Sequence, residues 1–341
     1  MFAPADARLV LVAHPGEVHL GDHLVNAAAG LGIPFKFLNV EEASSSNRWV
    51  NRFHYHLKGR SLANLGRFSE KVLEACRSFQ PTMMLSTGVA PVNAATVEAI
   101  RELGVRTGNF LTDDPFNPVH RAAWFLEALP HYDCIFSPRR DNISDLLQAG
   151  CREVKYVRWG YAPGIHFPEE PVDSEEMNRL ASDVFFAGGG DKDRIGYMTA
   201  LIRAGFNVAL YGGYWRRYQE TRSAARGFAD AATVRKAAAA AKVSICLVRR
   251  ANRDGHSMRT FELPAMRACL AVEDTPEHRE IFGPSGETAL YFKTGEDLVS
   301  VVKYLVDNKA ERERMASACY AKICGGHNSY RDRLVEMILG T

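Results

Sequence analysis

The chain has 341 residues, 46% of them hydrophobic and 24% charged, with 42 Lys and Arg against 40 Asp and Glu for a net charge of +2. That length suits two domains with a core each, and the composition is that of a globular protein. The near-neutral balance gives no global argument for nucleic acid or an acidic membrane, and nucleic acid is excluded from the expected partners. In chain order, "ARLVLVA" (7–13) is a β-rich apolar run suited to a strand buried on both faces, and it stops at His14-Pro15-Gly16. "GDHLVNAAAGLG" reads as a helix ended by glycine, "PFKFLNV" as a strand, 62–78 as a helix and "TMMLSTG" as a strand. "NAATVEAIRELG" is a helix, and "RTGNFLTDDP" is a strand ending at Asp113 and Asp114. "DCIFSP", "NISDLLQAG" and "REVKYVRWG" add strand, helix and strand. The alternation predicts a parallel α/β sheet with right-handed crossovers.

"YAPGIHFPEEPVDSEE" (161–176) is rich in proline and acid without periodicity, so a linker is expected over 161–180, between domains at 1–160 and 181–341. Alternation resumes with "SDVFFAGGG", "RIGYMTALIRAG", "FNVALYGGYW", "AATVRKAAAAAK" and "VSICLVRR". "TFELPAMRA" reads as a helix, and "CLAVED" and "GETALYFK" as strands. "GEDLVSVVKYLVDN", "KAERERMASACYAKIC" and "SYRDRLVEMILG" close the chain as three helices, the last a candidate to cross back to the first domain. Seven cysteines without a C-x-x-C pair or zinc-type spacing read as free thiols of a cytoplasmic protein. The first residues lack a basic segment followed by a long apolar one, so no signal peptide is expected. No run approaches the ~18 apolar residues of a membrane span, which leaves peripheral membrane contact as the open route to a bilayer.

Doubly wound sheets bind ligands at the carboxyl ends of their strands, and three polar clusters fall there in the second half. In "AGGGDKDR", Gly188, Gly189 and Gly190 let backbone amides approach an anion, with the next helix start, Lys192 and Arg194 adding positive charge. The alternative is a glycine turn with solvated charges. In "LYGGYW", Tyr211, Gly212 and Trp215 offer flat faces for a nucleobase or sugar, or else serve as core packing. In "DGHSMRTFE", a helix start carrying His256, Ser257, Met258 and Arg259 suits a diphosphate, and Glu262 suits a ribose diol. The alternative there is an i, i+3 ion pair of Arg259 with Glu262. In the first half, Asp113, Asp114, His14 and His19 are candidate acceptor-side acids and bases, and the "TDDP" carboxylates are equally suited to capping a turn. "HPGEVHLGDH" is read as loop polar groups, with no metal.

The run "DGHSMRTFELPAMRACLAVED", with "HREIF", "GETALYFKTGEDLVSVVKYLVDNKAERERMA", "HNSYRDRLVEMI", "DVFFAGGGDKDR" and "FLTDDPF", resembles the CgeB-type glycosyltransferases, within the group-1 glycosyltransferases of GT-B fold. The resemblance covers most of 183–337 and scattered points before that. It implies two Rossmann-like domains with parallel sheets facing across a cleft, a nucleotide-sugar donor as co-substrate, no cofactor and no metal. It implies transfer of the sugar to a glycan, protein or small-molecule acceptor with retention of configuration. Of the family's paired glutamates, Glu262 matches the one that holds the ribose. Asp254 stands where the other meets the sugar, a shorter side chain than the family's. Lys192 and Arg194 fall in the diphosphate region, and Arg259 is expected to stabilise the departing diphosphate. A nucleotide-sugar epimerase of the same fold and a non-catalytic sugar-nucleotide or glycan-binding protein are the rival classes.

Overall fold

The computed structural model describes residues 6–47, 49, 50, 52, 54 and 60–340. The chain forms two compact units. Unit 1 takes Met1–Arg158, Ala251–Arg253 and Tyr330–Thr341, and unit 2 takes Trp159–Arg250 and Asp254–Ser329. Both are α/β with all-parallel six-stranded sheets, as the alternation of elements predicts.

In unit 1 the strands are β1 (Leu9–Ala13), β2 (Phe35–Asn39), β3 (Met83–Thr87), β4 (Arg106–Phe110), β5 (Cys134–Ser137) and β6 (Val154–Tyr156), in the order β2-β1-β3-β4-β5-β6. Helices α1 (Leu20–Gly30), α2 (Leu65–Phe79), α3 (Ala94–Glu102), α4 (Ala123–Ala128) and α5 (Asp141–Gln148) connect them. β1 and β3 are buried at every position, which is why they read as unbroken apolar runs. One core cluster joins Val10, Val12, Phe68, Val72, Met84, Val97, Ile100 and Ile135.

Unit 2 has β7 (Ser182–Ala187), β8 (Val208–Tyr211), β9 (Ala225–Gly227), β10 (Ala241–Cys246), β11 (Leu270–Glu273) and β12 (Leu290–Phe292), in the order β12-β11-β10-β7-β8-β9. Its helices are α6 (Ser174–Leu180), α7 (Lys192–Arg203), α8 (Ala231–Ala240), α9 (Arg259–Ala265), α10 (Pro276–Phe282), α11 (Gly295–Asp307) and α12 (Lys309–Cys324). The last helix, α13 (Tyr330–Leu339), belongs to unit 1 and packs on α1.

The segment expected as a linker is part of unit 2. It carries α6, and Arg235 on α8 ties it down by donating to Glu169 at 2.6 Å and to the Ile165 carbonyl at 2.9 Å. Lys236 adds an ion pair to Glu176 at 3.0 Å. Its prolines and acids therefore mark an ordered excursion over the unit rather than a tether.

Candidate active site

In unit 2 the chain leaves β7 for β8 and β9 on one side and leaves β10 for β11 and β12 on the other. The switch point of the sheet is thus between β7 and β10, where such sheets bind ligands beyond the carboxyl ends. Three groups of residues emerge there: Gly188–Gly190 after β7, Leu247–Arg250 after β10, and the turn Asp254–Met258 that leads into α9.

The glycines are required by close packing. A methyl at Gly190 would lie 2.9 Å from Trp215 Cε3, and one at Gly212, where φ is +124°, would lie 2.5 Å from the Gly188 carbonyl. Trp215 is fully buried, donates from Nε1 to the Gly188 carbonyl at 2.8 Å and lies edge-on to Phe186. Tyr211 is buried against Phe185. Neither ring offers a face for a base or sugar. Trp215 buttresses the glycine turn and Tyr211 packs on Phe185, so the stacking expectation is corrected to packing.

Two further expectations change. Asp191 caps α7, its carboxylate accepting the Asp193 and Arg194 amides at 3.1 and 3.0 Å, so the positive helix end already faces an anion of the protein. α9 has only seven residues, and the Ser257 amide is spent on the Thr260 hydroxyl at 3.0 Å. The Met258 carbonyl accepts the Phe261 and Glu262 amides and opens that helix. His256 is buried, accepts the Trp159 amide at Nε2 and lies edge-on to Phe261, so it holds the turn. Lys192 is exposed on the first turn of α7.

Positive charge at the switch point therefore comes from arginine side chains. Arg194 is 8% exposed and donates to the Gly189 carbonyl at 3.1 Å. Burial lowers its affinity for the proton and neighbouring Arg249 adds to that, while Asp191 and Asp254 oppose it. Arg249 and Asp254 thus lie in its field. Arg259 donates from Nε to the carbonyl of Ala187, the last residue of β7, at 2.9 Å. Its guanidinium also pairs with Glu262, so the i, i+3 pair forms, but on a carboxylate only 1% exposed. His166 Nε2 stands 3.6 Å from the other side of that carboxylate.

Sequence reasoning passed over Arg249, although its place just after a strand of the parallel sheet was a usable signal. It also passed over His166, which lay inside the supposed linker and gave none. A third omission is the pair beneath α9. His278 is fully buried, donates from Nδ1 to the Glu273 carbonyl at 2.7 Å and takes the Thr260 hydroxyl at Nε2, 3.0 Å away. It ties the first turn of α9 to the end of β11.

In unit 1 the switch point lies between β1 and β3, and His14 follows β1 there, solvent-exposed and 4.0 Å from Glu41. His19 precedes α1, its ring 5.9 Å from that of His14. The two aspartates follow β4. Asp114 is 2% exposed and accepts from Arg253 at 2.7 Å, from Asn142 at 2.9 Å and from the Phe116 amide at 3.0 Å. Burial alone would raise its proton affinity, but these donors outweigh it and hold the carboxyl below its ordinary range. Its carboxylate is committed to structure, in keeping with the turn reading rather than proton transfer. Asp113 accepts from Asn252 at 2.9 Å, and His120 Nε2 stands 3.5 Å away. Sequence separation hid Asn252 and Arg253, which lie about 140 residues on yet belong to unit 1.

With this geometry in hand, residues 197–338 match the family model described as glycosyl transferase-like. No curated protein sequence matches the chain. Among solved structures, the chain is similar to the sucrose-phosphate synthase of Thermosynechococcus elongatus, with a TM-score of 0.66, 10% identity and 98% of each chain covered. It is similar to Anabaena HepE in complex with UDP-glucose, with a TM-score of 0.67 and 11% identity over 98% of this chain and 99% of that one. An E. coli trehalose-6-phosphate structure bound with UDP-2-fluoro glucose gives a TM-score of 0.62 and 13% identity over 98% of each chain. The fold is thus that of GT-B proteins, and the glycosyl transferase-like match falls on the segment that supplies Arg249, Asp254, Arg259 and Glu262.

Proposed function

We propose that this protein is a glycosyltransferase that takes a nucleoside-diphosphate sugar on unit 2 and passes the sugar to an acceptor held by unit 1. The observation that carries this reading is that Arg194, Arg249 and Arg259 gather at the end of β7 and the glycine turn, at the switch point of unit 2, with Arg249 and Arg259 inside the segment of glycosyl transferase-like sequence and Arg194 just before it. Guanidinium groups in a sheltered site suit a diphosphate, and their charge matters most as that group departs. In the proposed reaction the bond from the anomeric carbon to the diphosphate oxygen breaks, and the diphosphate keeps the electron pair. An acceptor oxygen bonds to the carbon and its proton passes to the departing diphosphate, so the reading calls for neither a metal nor a cofactor. Glu262 takes the ribose diol, Asp254 faces the sugar in place of the wider group-1 family's glutamate, and the configuration is retained, as the resemblance to that family implies. On unit 1, His14 and Asp113 are the acceptor-side groups, at the ends of β1 and β4.

UDP-sugars are the first donors to try, since two of the similar structures hold them. Calorimetric titration with UDP, GDP, dTDP and ADP should give one preferred nucleotide, and its affinity should fall at least about tenfold in Arg259→Ala, as loss of a charged hydrogen bond implies. Mass spectrometry of acceptor and donor after incubation with sugar nucleotides then separates the classes. A glycosylated acceptor supports transfer, an isomerised sugar indicates an epimerase, and nucleotide binding without any product indicates a binding protein.

A further inference from the structure

The edge of the unit 2 sheet carries a patch beside the glycine turn, where a methyl at Gly189 would lie 3.8 Å from Tyr214 Cδ2. β9 is the outermost strand, and the residue after it, Phe228, is 89% exposed. Across the turn Tyr214 is 58% exposed, and its backbone is left-handed, with φ of +75°. The two rings flank Gly213, where a methyl would lie 3.1 Å from Phe228 Cζ. A left-handed non-glycine residue costs about 1–3 kcal/mol and persists where surrounding structure fixes it. Here Tyr214 is the cap of the short helical turn Trp215–Arg217.

Four arginines lie in the same stretch of chain as the rings, namely Arg216, Arg217, Arg222 and Arg226. Arg217 lies over the Tyr214 ring at 4.3 Å, and Arg222 donates to the Arg216 carbonyl at 3.2 Å. Arg226 is on β9, close enough to Tyr211 to act on its ionisation. All four are exposed, and among the described residues none has an ion-pair partner. Of the acids in this stretch, Glu220 is exposed and Asp230 is spent capping α8. A protein of net charge +2 thus carries, between Tyr214 and Phe228, two exposed rings and four exposed arginines without an ion-pair partner among the described residues.

We propose that this patch docks the protein on an anionic phospholipid bilayer. The chemistry of the side chains selects this partner. A phenylalanine with no polar atom and nearly all its surface in water suits the headgroup–acyl boundary. A tyrosine suits the headgroup level, and arginines suit lipid phosphates. A basic residue near an anionic surface contributes about 1 kcal/mol, so four support reversible rather than permanent attachment. No helix among the described residues is long and apolar enough to cross a membrane, so the contact is peripheral.

The test is co-sedimentation of the full chain with phosphatidylcholine vesicles and with vesicles containing phosphatidylglycerol. Binding is expected only to the second, and it should weaken as salt rises. Phe228→Ser should reduce it, and the double change Arg216→Glu with Arg217→Glu should reduce it at least about tenfold, since two contributions of that size are removed and reversed. Thermal unfolding and nucleotide affinity should stay at wild-type values in both variants. Equal binding to both vesicle types, no binding at low salt, or variants that bind as the wild type does would each overturn the proposal. So would tight binding of an oligothymidylate abolished by the same substitutions, which would make the patch a nucleic-acid surface. Loss of nucleotide affinity with vesicle binding intact would also overturn it, and would assign the rings to the donor.

Discussion

Glu262 is almost wholly buried, with Arg259 paired to one carboxylate oxygen and His166 Nε2 3.6 Å from the other. Taking a carboxylate out of water costs several kcal/mol unless partners replace the lost hydration. Glu262→Gln keeps the shape and removes the charge, so nucleotide-sugar affinity should drop by a factor of about ten or more, the loss of a charge-assisted hydrogen bond of about 1.5–3 kcal/mol. Calorimetry on the folded variant checks this, and an unchanged affinity would remove Glu262 from the ribose. His278 makes a separate prediction about acid. Burial pushes its imidazole down to about 4, with the Glu273 carbonyl and Asp274 acting weakly the other way. An unfolded histidine titrates near 6.5. Between those values the unfolded chain holds a proton that the folded chain refuses, so stability falls as pH drops from about 6.5 towards 4, by on the order of 3 kcal/mol at most. Urea midpoints at pH 7.5 and 5 should differ less in His278→Gln than in the wild type, and an equal difference would mean that the proton enters elsewhere. Arg249, directly after a strand, was passed over, whereas Arg194, Arg259 and Glu262 were legible because they sit in polar clusters where helices begin after strands. The groups that hold them, such as Thr260 and His278, were not, because a buried hydrogen bond between residues 18 apart leaves no periodic trace.

At the scale of elements, the strands were legible wherever both faces are buried. "ARLVLVA" and "TMMLSTG" each contain a five-residue strand buried throughout. β9 was missed for the opposite reason. It is three residues of an edge, Ala-Arg-Gly, partly exposed and without an apolar pattern. α10 was missed because it is a single short stretch whose Thr275 cap and Pro276 start look like loop. The glycine turn was found in sequence, but its packing role was not. Gly188–Gly190 were assigned to an anion and Gly212 to a flat pocket, and the structure adds that Gly190 and Gly212 are needed for packing against Trp215 and the Gly188 carbonyl. That yields a prediction free of any ligand. Gly212→Ala places a methyl against backbone at a φ that favours glycine, so it should cost about 1–3 kcal/mol or more and lower the melting temperature. Gly196→Ala, in the middle of α7 with open space around it, should instead raise stability by about 0.5–1 kcal/mol. Differential scanning calorimetry of the two variants should show shifts of opposite sign.

The whole molecule is threaded so that unit 1 needs three stretches of chain. The last of them is Tyr330–Thr341. Its helix α13 buries Tyr330, Leu334, Met337 and Ile338, stacks Tyr330 on His23 of α1 at 5.0 Å and receives the Arg106 guanidinium on the Ile338 carbonyl at 3.1 Å. At about 1.5–3 kcal/mol for each large apolar side chain buried, these four contribute on the order of 6 kcal/mol or more, a large part of what a domain has. Unit 2 has its own core of Val184, Leu210, Ile245, Leu298, Val302 and Met315, and none of that core comes from α13. Ending the chain at Ser329 should therefore uncover the apolar side of α1 and destabilise unit 1 while unit 2 stays folded. Thermal unfolding should change from its full-length profile to one with an early transition, accompanied by increased binding of an apolar dye, and a late transition at the temperature of unit 2. Nucleotide affinity, which is proposed to reside on unit 2, should survive the truncation below the early transition, whereas sugar transfer should not. A truncated chain that still melts like the full one would mean that α13 is dispensable to unit 1. Loss of both transitions together would mean that the two units do not fold independently.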